Sequence, residues 1–105
     1  MISVIYTTFP NKEIALKIGK ELIEMNLIAC TNIVATTSQY HWKGNYHEDQ
    51  EYGVYFKTSR NNSKTVIKYI SKHHPYEIPY IQSKEHTINN AYKAWMDSFL
   101  MDNIG

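Results

Sequence analysis

The chain has 105 residues, 43% of them hydrophobic, and a net charge of +1 with its histidines neutral. That length suits one domain, expected over residues 1–105, with a modest core. Eleven Lys and Arg are offset by ten acids, and Arg60 is the sole arginine, so the one-sided basic footprint of a nucleic-acid binder is absent.

The N-terminus, Met1-Ile2-Ser3-Val4-Ile5, has no basic lead and no long apolar run, so neither a secretory signal nor membrane insertion is expected. Ile2 to Thr8 is rich in β-branched residues and reads as a short buried strand. Pro10-Asn11 ends it. From Lys12 to Met25 the apolar positions Ala15, Ile18, Gly19, Leu22 and Ile23 recur at helical spacing. Asn26 tolerates the left-handed conformation that closes a helix.

Cys30 to Trp42 and Tyr46 to Thr58 are strand-like runs, each roughly twice the usual length of about 5–6 residues. Trp42-Lys43-Gly44-Asn45 between them reads as a hairpin turn. Cys30 is the only cysteine, so no intramolecular disulfide forms and a reducing, cytoplasmic setting is expected. Its apolar surroundings predict a buried, unreactive thiol. In the second run Tyr52, Val54 and Phe56 share one face, and Gly53, Tyr55 and Lys57 the other. Tyr40, Trp42 and Tyr46 lie at the hairpin tip, where large apolar groups mark an interface.

Asn61-Asn62-Ser63 offers caps for a helix that carries Val66, Ile67 and Ile70 and ends at His73 or His74. Pro75 and Pro79 hold the following segment extended. Tyr80 to His86 reads as the last strand. Asn89-Asn90 introduces a final helix with Ala91, Ala94, Trp95 and Phe99 on one side. The order β-α-β-β-α-β plus a helix predicts an α+β, ferredoxin-like fold: a four-stranded antiparallel sheet with a long hairpin and an extra C-terminal helix.

The chemistry concentrates in His73-His74-Pro75-Tyr76-Glu77-Ile78-Pro79, where a helix becomes a strand. Imidazole nitrogen suits copper and zinc, so His73 and His74 are the candidate metal ligands. Adjacent residues on a helix point about 100° apart, which makes a poor chelate. The structural alternative is that His74 bonds backbone to fix the Pro75 turn, with His73 a solvated group near a helix C-terminus. Glu51, Lys57, His74 and Tyr76 together would line a polar cleft between subunits. Asp49 and Glu51 point the same way along their strand. Lys57-Thr58-Ser59 does not supply the aromatic, Gly-rich strand motif of RNA recognition. Thr7-Thr8-Phe9-Pro10 lacks the arginine that acylphosphatase chemistry uses after its first strand.

The chain resembles the CutA family of divalent-cation-tolerance proteins. The resemblance rests on Thr7-Thr8-Phe9-Pro10, Ile28-Ala29-Cys30-Thr31-Asn32-Ile33, Ser38-Gln39-Tyr40-His41-Trp42-Lys43-Gly44, Glu51, Lys57-Thr58, His74-Pro75-Tyr76-Glu77-Ile78-Pro79, Tyr92 and Trp95. It implies a ferredoxin-like homotrimer in which long hairpins pack between subunits, with Tyr40, Trp42, Tyr46 and Trp95 as packing groups. It implies a non-enzymatic role in tolerance of copper and other divalent cations, with Cu(II) held at His73 and His74 and no organic cofactor. The family trimer is also similar to the PII signalling proteins, which bind small ligands in clefts between subunits. Thr7 stands where some members have Cys, and Tyr80 where the family usually has Glu, so copper binding is expected to be weak.

Overall fold

The computed structural model describes residues 1–101. The last four residues of the domain expected over 1–105 therefore lie outside the described part. Among the described residues the chain runs β1 (Ile2–Phe9), α1 (Lys12–Glu24), β2 (Cys30–Trp42), β3 (Asn45–Ser59), a one-turn 3₁₀ helix (Arg60–Asn62), α2 (Ser63–His73), β4 (Ile81–His86) and α3 (Asn90–Asp97).

Local chemistry sets these boundaries. Asn11 caps α1, its Oδ1 accepting from the Ile14 N–H at 2.9 Å. Asn26 sits at φ +57°, in the left-handed conformation that stops the helix. At the hairpin, Lys43 (φ +51°) and Gly44 (φ +82°) are both left-handed, the geometry that matches strand twist in a two-residue loop. The cap before α2 differs from expectation. Asn62 stands at the N-cap position of α2 but makes no side-chain capping bond there, while Ser59 caps the preceding 3₁₀ turn, accepting from the Asn62 N–H at 3.3 Å. The Asn62 side chain is buried and donates to the Met101 carbonyl at 2.6 Å, pinning the segment after α3.

The sheet order is β2-β3-β1-β4, and every neighbouring pair is antiparallel. This is the ferredoxin-like arrangement. One face carries Ile5, Phe9, Val54 and Phe56 against Ala15, Ile18 and Leu22 of α1 and Val66 and Ile70 of α2, all buried. Ile23 turns away from that core and is exposed. Gly19 lets α1 approach β2, since a Cβ there would sit 3.0 Å from Thr31 Cγ2. The opposite face is covered only in part, by α3, where Met96 packs with Ile2 and Ala29. Of the expected stripe Ala91, Ala94, Trp95 and Phe99, only Phe99, just past the end of α3, packs inward; the contact is made by buried Met96 with partly buried Tyr92 and Phe99. Beyond α3 this second face is open, with Val34 and Tyr55 exposed.

Pairing of β2 with β3 continues out to Trp42 opposite Asn45. Thirteen paired residues extend about 43 Å at the usual rise, and they account for the 46 × 26 × 22 Å outline. Among the described residues, no helix is long and apolar enough to cross a membrane.

Candidate functional site

Pro75 and the end of α2 turn His74 back over the sheet, where its ring stacks on Phe9 at 4.6 Å. Both ring nitrogens are engaged. The Tyr76 N–H donates to Nδ1 at 3.2 Å, so Nδ1 holds a lone pair. Nε2 lies 3.0 Å from the Thr8 carbonyl, which can only accept, and 3.1 Å from Thr7 Oγ1. The network therefore assigns a neutral imidazole with its proton on Nε2. Burial lowers the His74 pKa from its ordinary value, against the opposing pull of the Thr8 carbonyl and the Glu51 charge. The same loop brings Tyr76 over β3, where its phenol donates to Glu51 Oε2. Glu51 is a buried carboxylate, 7% exposed. Burial, then the bond to Glu51, raises the Tyr76 pKa far above the ordinary phenol.

His73 takes another direction. It is exposed and lies against Tyr69, ring centroids 4.3 Å apart. The two adjacent imidazoles thus do not converge. Among the described residues, no group of three or more His, Cys, Asp or Glu is placed to hold a metal ion. Within one protomer His73 is the free donor, and His74 would have to surrender a hydrogen bond to coordinate.

The four cleft residues fall into two sets. Glu51, His74 and Tyr76 form one connected network. Lys57 shares the Glu51 face of β3 but sits roughly 20 Å along the strand, at about 3.3 Å per residue. Its ammonium lies 5.7 Å from the centre of the Tyr92 ring. Tyr92 Oη is in turn 3.1 Å from Cys30 Sγ, and Cys30 is the cross-strand partner of Lys57. Burial, then the thiol contact, pushes the Tyr92 pKa up to about 12. Cys30 is only partly buried, which corrects the expectation of a fully enclosed thiol. β2 is an edge strand, and Tyr92 alone leans over the sulfur from α3.

At the hairpin tip Tyr40 stacks on His47 at 5.2 Å and donates to Asp49. Tyr46 is 64% exposed and bridges strands, accepting from Gln39 at 2.8 Å and donating to Glu48 at 2.9 Å. Trp42 is half-buried beside Lys43, and Trp95 lies on the surface between Tyr92 and Phe99. Sequence reasoning missed two features. One is the Cys30–Tyr92 contact, which joins residues 62 apart. The other is Tyr6, which lies across Gly53 and stacks on Tyr55 at 4.8 Å. The glycine, isolated in a strand, was the available signal for a close approach.

Comparison with known proteins adds the lineage. The sequence profile of the family described as CutA1 divalent ion tolerance protein matches residues 3–98. The divalent-cation tolerance protein CutA of Thermotoga maritima is 40% identical over 94 residues, 89% of this chain and 93% of that protein. The crystal structure of CutA1 from Pyrococcus horikoshii superposes with a TM-score of 0.90 at 32% identity, covering 94% of this chain and 98% of the other. The periplasmic divalent cation tolerance protein CutA from Archaeoglobus fulgidus superposes with a TM-score of 0.89 at 29% identity, covering 94% and 98%.

Proposed function

This chain belongs to the CutA1 divalent ion tolerance family, and we propose that it acts as a non-enzymatic, homotrimeric binder of divalent cations, Cu(II) foremost. The match over residues 3–98 carries this reading. The exposed imidazole of His73, beside His74, supplies the nitrogen chemistry that copper prefers. One protomer lacks a closed ligand set among its described residues, so copper would be held weakly, with ligands drawn from more than one subunit. The exposed aromatic groups of the hairpin tip support assembly. We place the protein in the cytoplasm on the strength of its free thiol; the Archaeoglobus relative, described as periplasmic, is the counter-example that cell fractionation would test.

The test is calorimetric titration of copper into the assembled protein. His73→Ala is expected to weaken binding more than His74→Ala, because only His73 has an uncommitted ring. Binding should weaken as pH falls, because protons compete with copper for imidazole nitrogen. Equal copper affinity in wild type and the His73→Ala/His74→Ala double variant would remove both as ligands. A second reading is a small-ligand sensor or assembly module akin to PII; the hollow beside Lys57 favours the sensor, though it lies within one protomer rather than in a cleft between subunits.

A further inference from the structure

We propose that the hollow between the second sheet face and the start of α3 is a binding site for a small organic carboxylate with an apolar body. The proposal rests on the ligand-sensor reading, not on the copper one, and its groups all lie within one protomer. The hollow has a volume of about 340 Å³. Its floor is apolar, from Ile2, Val4 and Ile88, and its polar rim includes Lys57, His86 and Tyr92. That composition, an apolar bed with a few convergent polar groups, is the one small-molecule sites share.

The charge balance selects the ligand's sign. The register sets Cys30, Lys57, Val4 and Lys84 in one row across the second face, and Ser59, Ile2 and His86 in the next. Lys57 and Lys84 thus flank Val4, with no carboxylate on either row. The acids of this face, Asp49 and Glu51, lie farther along β3, and Glu51 is bonded to Tyr76. Glu85 alternates to the other face, where Arg60 holds it at 2.8 Å. Asp97 of α3 is held by Lys93 at 2.6 Å. Among the described residues Lys57 has no carboxylate partner.

The donor set selects the group. The Lys57 ammonium lies near the Tyr92 ring, and the Tyr92 phenol keeps its proton across the physiological range. With the Cys30 thiol donating to Tyr92 Oη across their 3.1 Å contact, the phenol O–H is left for a ligand, and one ammonium and one O–H match the two oxygens of a carboxylate. The bidentate fork that suits a phosphate belongs to arginine, and the sole arginine is committed to Glu85.

The experiment is titration of the assembled protein with 3-phenylpropionate, with 3-phenylpropylamine and inorganic phosphate as the other arms, followed by calorimetry. Saturable binding is expected for the carboxylate and not for the amine. Lys57→Met should weaken it at least about tenfold, as loss of a charge-assisted bond implies, and Lys57→Arg should restore most of it. Tyr92→Phe, which removes one oxygen and keeps the ring, should weaken it several-fold, and it serves if Lys57→Met does not fold. Copper affinity should be unchanged in Lys57→Met. Amine binding as tight as carboxylate, phosphate binding tighter than carboxylate, or full affinity in both variants would overturn the site. Carboxylate binding that instead requires Glu51 and Tyr76 would overturn this location and leave the sensor reading standing. No saturable carboxylate binding in the wild type overturns the proposal outright.

Discussion

Protonation of His74 falls on Nδ1, so it both breaks the bond from the Tyr76 N–H and charges a ring that burial favours neutral. Its pKa is lowered in the folded state, so just below pH 6.5 the unfolded chain binds more protons than the native one. The stability His74 contributes is therefore complete above about pH 6.5 and is lost as pH falls through the lowered native value. His74→Leu should flatten that part of the urea-midpoint profile between pH 7.5 and 5. It should also cost about 1–3 kcal/mol at neutral pH, through the Tyr76 N–H and Thr8 carbonyl left unpaired. An unchanged profile would exclude His74 as the group responsible. Gly53 is the second sensitive residue. A Cβ there would meet the Tyr6 phenol well inside van der Waals contact, with Cζ at 3.0 Å as well. Gly53→Ala should destabilise by about 1–3 kcal/mol in denaturant unfolding. Adding Tyr6→Phe should recover only part of that, because the ring carbon stays in the way.

At the level of elements, α3 is the short piece that decides how much of the second face is dry. Met96 is fully buried against Ile2 and Ala29, whereas Trp95 is 48% exposed. Met96→Ala is expected to cost about 2–5 kcal/mol in equilibrium unfolding, and Trp95→Ala clearly less. A larger loss for Trp95 in a dissociated protomer would mean that the helix face is assigned wrongly. The hairpin of β2 and β3 behaves differently. Its base is part of the four-stranded sheet, while its outer half is a two-stranded ribbon, backbone-paired out to Trp42 and Asn45 and joined by exposed side-chain pairs such as Gln39 to Tyr46 at 2.8 Å and Gln50 to Thr37 at 2.9 Å. Exposed polar pairs of this kind add little stability each.

For the whole molecule, the outline itself argues for company. A hairpin that stretches the molecule to 46 Å, with Tyr40 and Tyr46 exposed, leaves apolar area that a partner would cover. Each large side chain fully buried on assembly is worth about 1.5–3 kcal/mol. Light scattering of the wild type is expected to give the mass of a trimer at micromolar concentration. A Trp42→Ala/Tyr46→Ala variant should shift it toward monomer while the circular dichroism of the sheet persists. A wild-type monomer under those conditions would contradict the assembly and, with it, any copper site shared between subunits.

The sequence by itself determined the order of elements and the sheet. Ile5, Phe9, Val54 and Phe56 alternate as a half-buried strand must, Asn26 and Gly44 supply the left-handed turns, and the two long runs specify one hairpin. These are local signals of period and backbone freedom. The pattern of α3 misled because its stripe is only partly covered: Trp95, the largest apolar residue, faces outward, and the smaller Met96 fills the contact. What only the tertiary structure decided is which polar groups meet. Thr7 with His74, Cys30 with Tyr92 and Glu51 with Tyr76 are joined across 67, 62 and 25 residues. Sequence spacing carries no trace of such pairings, because sheet register and the fold of the loop after α2 create them. The same register sets Lys57 apart from Glu51, as two ends of one strand face rather than one cluster.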